Sequence, residues 1–293
     1  MSDQVNKPDA ALSGTFIIGG DMPVNRMGFG AMRITGKGIW GDPANPDETR
    51  KLLQRLPDLG VNFIDTADSY GPEVSENLIA EALYPYPAGL ILATKGGLTR
   101  QGPNMWAPVG RPEYIQQCVE MSLRRLRVEC IDLYQLHRID PKVPAEETLG
   151  VLKQMQKAGK IRHIGLSEVS IAQIEAAQKV VKIVSVQNEY NLGNRQSENT
   201  LDYCEKNNLG FIPWFPIAAG DLVKPGGKMD EMAKAHNATI AQLALAWLLH
   251  RSPVMLPIPG TSSIAHLEEN VAAAAVQLSE SEWSKLESLA PKL

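Results

Sequence analysis

Only three cysteines occur among the 293 residues, Cys118, Cys130 and Cys204, and none falls in a CxxC or Cys/His spacing. An odd, scattered set excludes a disulfide framework and a thiolate metal site; free thiols in a reducing cytoplasm are expected. Neither sign of charge dominates, since 29 Lys and Arg against 33 Asp and Glu leave a net −4. That balance leaves no electrostatic footprint for nucleic acid or an anionic membrane. No long apolar run is present either: residues 240–249 reach about half of the ~20 residues a membrane span needs, and Gln242 interrupts them. The first 13 residues lack the apolar core of a signal peptide and are expected to form a flexible tail. What remains, with 44% hydrophobic and 21% charged residues, is an ordinary globular chain.

Short apolar runs alternate with amphipathic stretches along nearly its whole length. Strands are expected at residues 27–32, 62–65, 90–95, 131–136, 161–166, 183–187, 210–214 and 254–258. Helical periodicity fills 47–59, 73–83, 112–127, 145–158, 171–180, 196–207, 229–250 and 263–275. Gly60, Gly159 and Gly210 fall just past helix ends, where a left-handed residue is wanted. Eight strand–helix units predict a parallel sheet closed into a (β/α)8 TIM barrel, an α/β fold that occupies residues 14–293 as one domain. Before it, residues 16–18 and 22–24 flank Gly19-Gly20-Asp21 and predict a β-hairpin closing the barrel bottom.

Loop lengths are asymmetric. Helix-to-strand connections are about two residues long, whereas several strand-to-helix connections are long and rich in Gly and Pro (33–46, 96–111, 137–144, 215–228). In a barrel the second kind lies at the C-terminal face, where sites are built. Polar residues end consecutive strands there: Asp65 after Asn62-Phe63-Ile64, Lys95 after Thr94, His137 after Leu136, with Tyr70 five residues beyond Asp65. An acid, a phenol, an ammonium and an imidazole at one rim form a proton-transfer set. The ammonium is expected to lower the phenol's pKa, the acid to neutralise the ammonium, and the imidazole to orient a substrate oxygen.

Phe63-Ile64-Asp65-Thr66-Ala67-Asp68-Ser69-Tyr70-Gly71 resembles the aldo-keto reductase signature, with Thr94-Lys95 and Leu136-His137 as its second and third parts. The likeness runs from about Asn25 to Leu278. It implies a reductase using NADPH or NADH without metal, acting on a small carbonyl compound; the charge balance adds no nucleic-acid or membrane partner, and no apolar stripe demands an obligate protein partner. Carried across, Tyr70 is the general acid, Lys95 tunes it, Asp65 holds Lys95 and His137 directs the carbonyl. Ser167 and Gln187 fall where the nicotinamide carboxamide is bound, and Trp214 where a Tyr usually stacks under that ring. Asp65, Met32 and Phe215 join the cofactor set. Glu168 stands where Asn is usual. Gly260, Thr261 and Ser262, with His266, Glu269 and Asn270, match the adenosine phosphate segment, although Gly260 and His266 occupy two positions that are often basic. Tyr84-Pro85-Tyr86 and Pro259–Ser263 are similar to bacterial reductases of pyridoxal-like aldehydes.

Plainer readings stand beside these. Asp68 reads as a turn residue, and His163, His236 and His250 as structural or solvated. Trp247 reads as core, whereas Trp40 and Trp106 serve equally as loop anchors or as substrate-pocket walls. A strand-end lysine such as Lys95 also suits a Schiff-base lyase. A cofactor-holding regulatory subunit with slow turnover is a third reading.

Overall fold

The computed structural model describes residues 7–217 and 227–289. Two short strands, β1 (Thr15–Ile18) and β2 (Met22–Asn25), pair antiparallel. The turn between them uses positive φ at Gly19 and Gly20, which glycine adopts without a Cβ penalty. Phe16, Ile18, Met22 and Val24 alternate inward and are buried. The strands that follow are β3 (Phe29–Gly30), β4 (Phe63–Asp65), β5 (Ile91–Gly96), β6 (Leu98–Gly102), β7 (Met105–Pro108), β8 (Ile131–Leu136), β9 (Ile161–Ser167), β10 (Ile183–Gln187) and β11 (Gly210–Phe211). Seven of them form one parallel sheet in the order β11-β10-β9-β8-β5-β4-β3.

An eighth segment closes that sheet into the expected barrel. The Phe211 N–H donates to the Val254 carbonyl and the Leu256 N–H to the Phe211 carbonyl, each at 2.8 Å. On the opposite edge the Gly28 N–H donates to the Pro257 carbonyl at 2.9 Å. Pro257 has no N–H to give, so it meets the β3 edge through its carbonyl alone; towards β11 the segment forms a bridge at Met255. The hairpin lies across the strand beginnings, as expected. Asp21 pairs with Arg162 (3.0 Å) and His163 (2.6 Å) at the start of β9. Asn62, at the start of β4, accepts from the Asn25 N–H at 2.7 Å and donates to the Pro23 carbonyl at 3.1 Å.

Helices surround the sheet: α1 (Pro46–Arg55), α2 (Val74–Leu83), α3 (Pro112–Leu126), α4 (Ala145–Lys157), α5 (Ile171–Gln178), α6 (Glu198–Lys206), α7 (Lys228–Ala235), α8 (Ile240–Arg251), α9 (Ile264–Ala272) and α10 (Glu280–Leu289). Their starts follow local chemistry. Asn45 caps α1 ahead of Pro46, Asp47 and Glu48, and Ser170 with Gln173 makes a capping box on α5. Among the described residues, no helix is long and apolar enough to cross a membrane.

Several expectations are corrected. Residues 10–13, expected in the tail, form a 3₁₀ turn: Asp9 caps it, Ala10 is buried, and Ser13 Oγ accepts from the Met27 N–H. Residues 1–6 of that tail lie outside the described residues. The single helix expected over 229–250 divides into α7 and α8, because Asn237 turns left-handed (φ 50°) and Thr239 starts a new capping box with Gln242. Asn208, not Gly210, carries the left-handed conformation after α6; Gly210 belongs to β11. The strand expected over 27–32 is cut short by a 3₁₀ turn at Ala31–Ile34. The β6–β7 hairpin and α10 were not expected; the first falls inside what reads as a loop. Of the other plain readings, His236 meets Glu282 at 2.8 Å, His250 stacks on Trp283, and Trp247 is buried against Tyr190.

Barrel closure sets a sharp steric limit. A Cβ on Gly30 would stand 2.5 Å from the Ile258 carbonyl oxygen, a backbone atom that cannot move aside locally. Gly30→Ala is expected to destabilise the fold by about 1–3 kcal/mol, measured as a lowered urea midpoint with an unchanged m-value.

Candidate active site

Three neighbouring strands deliver their last polar residues to one point. β4 ends at Asp65, β5 carries Lys95, and the residue after β8 is His137. The Lys95 ammonium donates to Asp65 Oδ2 at 2.6 Å, to the Thr66 carbonyl at 2.8 Å and to the Tyr70 hydroxyl oxygen at 3.2 Å. Its side chain is 0% exposed and that of Asp65 2%, so neither charge has water and each depends on the other. The second oxygen of Asp65 accepts from the amides of Gln135 and Gln187, both at 2.9 Å. Two amides and an ammonium thus satisfy a carboxylate inside the barrel. His137 stands 5.9 Å from Tyr70, ring to ring and edge-on, and its Nδ1 shares a 3.3 Å hydrogen bond with Ser69 Oγ.

Electrostatics fixes the protonation states. Burial opposes the Lys95 charge, but Asp65 and Tyr70 raise its pKa above the ordinary lysine value. For Tyr70 the expected lowering is corrected. Burial raises the phenol, and Lys95 offsets this only in part because Asp65 has already balanced the ammonium. His137 is held well below the ordinary histidine range by burial, with Lys95, Arg138 and Arg100 adding to it. The resting site therefore holds a neutral phenol, a neutral imidazole and a compensated ammonium.

These groups open into a cleft of about 1290 Å3. Asp65, Tyr70, Trp106, His137, Ser167 and Gln187 line it at the strand ends, Trp214 and Phe215 along one side, and Met32, Gly260, Thr261 and Ser262 towards α9. A hydroxyl and an amide on the floor suit a carboxamide, and an aromatic wall suits a planar ring. The far end presents Thr261 and Ser262 just before the α9 N-terminus, with Arg33 also lining the cleft. That donor set fits an elongated ligand carrying both a ring amide and phosphates.

The family model for the aldo/keto reductase family matches residues 26–291. The chain belongs to the aldo/keto reductase family. An uncharacterized oxidoreductase of Schizosaccharomyces pombe is 57% identical over 95% of this chain and 90% of its own length. Pyridoxine 4-dehydrogenase of Escherichia coli is 41% identical over 94% of this chain and 98% of its own. Among solved structures, an aldo-keto reductase of Klebsiella pneumoniae in complex with NADPH superposes with a TM-score of 0.81 at 26% identity, covering 94% and 95% of the two chains.

Two departures of this aldo/keto reductase from the usual pattern are coupled. Glu168 Oε1 accepts from the Trp214 indole N–H at 2.5 Å and from the Glu189 N–H at 2.7 Å. Glu168 has φ 55°, a left-handed conformation that Asn tolerates better than Glu. The carboxylate thus fixes an indole where a tyrosine would offer no N–H. Not every expected residue reaches the cleft. Trp40 lies outside it, 5.6 Å from the Arg100 guanidinium. His266, Glu269 and Asn270 sit further along α9: His266 pairs with Glu269 at 3.1 Å, and Asn270 is buried. The sequence reading missed Gln135, Arg33, Arg100 and Arg138. Gln135 was findable as an inward-pointing polar residue in an apolar strand; the three arginines gave no signal in loop sequence.

Asp68 lies in a turn, as expected, but its side chain does more than shape it. It is buried, its Oδ1 meets no protein partner, and it borders a separate cavity of about 280 Å3 beside Cys118. Burial and the charge of Glu76 push it up to about 7. Between the unfolded value near 4 and about 7, the folded protein holds a proton that the unfolded chain has lost. The stabilisation present at low pH is therefore lost as pH rises through that window, by at most ~1.4 kcal/mol per pH unit. Asp68→Asn removes this dependence, so urea unfolding at pH 5 and pH 8 is expected to show the variant gaining on wild type at the higher pH.

Proposed function

We propose that this chain catalyses the NADPH-dependent reduction of a small aldehyde or ketone, with Tyr70 as the proton donor. The observation that carries the reading is a neutral phenol 3.2 Å from an ammonium that is itself ion-paired, facing a cleft. When bound, NADPH supplies the hydride that reduces the carbonyl carbon. Ser167 and Gln187 would hold its carboxamide, with Trp214 against the ring and Phe215 and Met32 beside it. Gly260, Thr261 and Ser262 would meet its phosphate end, and NADH remains an alternative because Gly260 carries no cation.

The chain's own residues account for the proton. Neutral His137 donates a hydrogen bond to the carbonyl oxygen and orients it, its Nδ1 side held by Ser69. Tyr70 keeps its proton until negative charge builds on that oxygen and then transfers it. The Lys95 ammonium stabilises the phenolate left behind, and Asp65 keeps Lys95 from moving. Lys95 is a poor candidate for a Schiff base, because that chemistry needs a free neutral amine and all three of its donors are engaged.

A pyridoxal-like aldehyde is the substrate we favour, supported by the 41% identity to pyridoxine 4-dehydrogenase. The three unpaired cysteines suit the cytoplasmic location proposed with it. An aldehyde and ketone panel including pyridoxal, run with NADPH and NADH, tests the reading. Wild type is expected to consume NADPH, and Tyr70→Phe to lose about 10²-fold or more of kcat while retaining NADPH binding. Full turnover by Tyr70→Phe would remove Tyr70 from its role. A borohydride-trapped adduct on Lys95 would favour the lyase, and tight NADPH binding without turnover would favour a regulatory subunit.

A further inference from the structure

Arg100 lies on β6, directly across the ladder from Trp106 on β7. All five of its N–H donors reach backbone carbonyls. Nε donates to Met105 at 2.9 Å and Nη2 to Gly102 at 3.3 Å, both within its own hairpin. Nη2 also reaches Gly38 at 3.0 Å and Nη1 reaches Ile39 at 2.7 Å, in the loop that follows β3. The second bond of Nη1 goes to the Ser69 carbonyl at 2.7 Å, in the segment between β4 and α2 that carries Tyr70. Above this plane the guanidinium stacks on the Trp106 indole, with its carbon 3.6 Å from the ring centre.

One side chain therefore ties three rim loops together. Two of those ties bear on the reacting groups. Ser69, whose carbonyl is held, contacts His137 through its hydroxyl. Trp106, whose face is held, stands edge-on to Tyr70 at 6.5 Å and lies 6.3 Å from His137. A planar fork serves five carbonyls in three loops and still stacks flat on an indole, whereas a lysine has three donors on one tetrahedral nitrogen and no planar face to stack. Arg100 does not itself line the cleft, and its links to the reacting end of the cleft run through Trp106 and Ser69 rather than through Ser167, Gln187, Trp214 or the Gly260–Ser262 segment.

We infer that Arg100 is a positioning residue for the carbonyl pocket, setting Trp106 and the Ser69–Tyr70 segment so that substrate rather than cofactor depends on it. The inference rests on the reductase reading above. Arg100→Gln and Arg100→Lys are the variants, pyridoxal the carbonyl probe, and calorimetry with NADPH the cofactor readout. Both variants are expected to raise the KM for pyridoxal about tenfold, with the Kd for NADPH within about twofold of wild type. Acrylamide quenching of the Trp106 emission, obtained by difference from Trp106→Phe counterparts, is expected to increase in both.

Unchanged KM with unchanged quenching would overturn the inference, as would parallel losses in KM and NADPH affinity. Recovery of wild-type values by Arg100→Lys would also overturn it, because charge alone would then suffice. Should the Arg100 variants unfold, Trp106→Phe keeps the question open to measurement. It is expected to raise the KM for pyridoxal with NADPH affinity unchanged, and an unchanged KM would overturn the link. Where Arg100→Lys does fold, combining it with Trp106→Phe is expected to show clearly less than the product of the two effects, and full additivity would overturn the link. If wild type turns over no carbonyl compound, the reductase reading fails, while the quenching experiment still decides whether Arg100 holds Trp106.

Discussion

The Lys95–Asp65 ion pair is the interaction on which the site depends. An ammonium and a carboxylate without water are tolerable only with close contact and every remaining donor and acceptor filled. The 2.6 Å contact, the Thr66 carbonyl, the Tyr70 hydroxyl and the amides of Gln135 and Gln187 meet that demand. Because those partners come from β4, β5, β8 and β10, the pair also fixes strand ends relative to each other. A structural requirement, satisfying two buried charges, thereby places a phenol beside a cation. Burial keeps the phenol from being acidified at rest, and the neutralisation adds to it because part of the ammonium's field is spent on Asp65.

Around this centre the C-terminal rim is held by side chains that reach backbone carbonyls across loops. Arg100 ties its hairpin to two neighbouring loops, and Arg138 spans from the His137 carbonyl to Ser167 Oγ. Glu168 works in the opposite sense, its carboxylate accepting from the Trp214 indole N–H and the Glu189 backbone N–H. Such clamps give loops the precision that strands have from their ladders. The bottom of the barrel is tied differently, by the hairpin's Asp21 and Asn25 to strand beginnings, remote from any chemistry.

Much of the fold was legible because its signal is local. Apolar runs of strand length, amphipathic runs of helix length and short helix-to-strand turns all recur, and eight units close a barrel. The misreadings were equally local in cause. Asn237 can turn left-handed without announcing it, so α7 and α8 read as one helix. The β6–β7 hairpin carries Gly, Pro and Asn at a density that resembles loop.

The sequence by itself determined the barrel, the rim set of Asp65, Lys95 and His137 at strand ends with Tyr70 just beyond one of them, and the family to which the chain belongs. Those depend on periodicity and on residue types at fixed places along single strands. Only the tertiary structure decided that burial outweighs Lys95 at Tyr70, that Asp68 is enclosed near Cys118 and Glu76, and that Trp106 lines the cleft while Trp40 does not. It also joined Glu168 to Trp214, 46 residues apart, and Arg100 to Ser69, 31 apart. The physical reason is that desolvation and hydrogen-bond geometry belong to the space between elements, which no stretch of sequence contains.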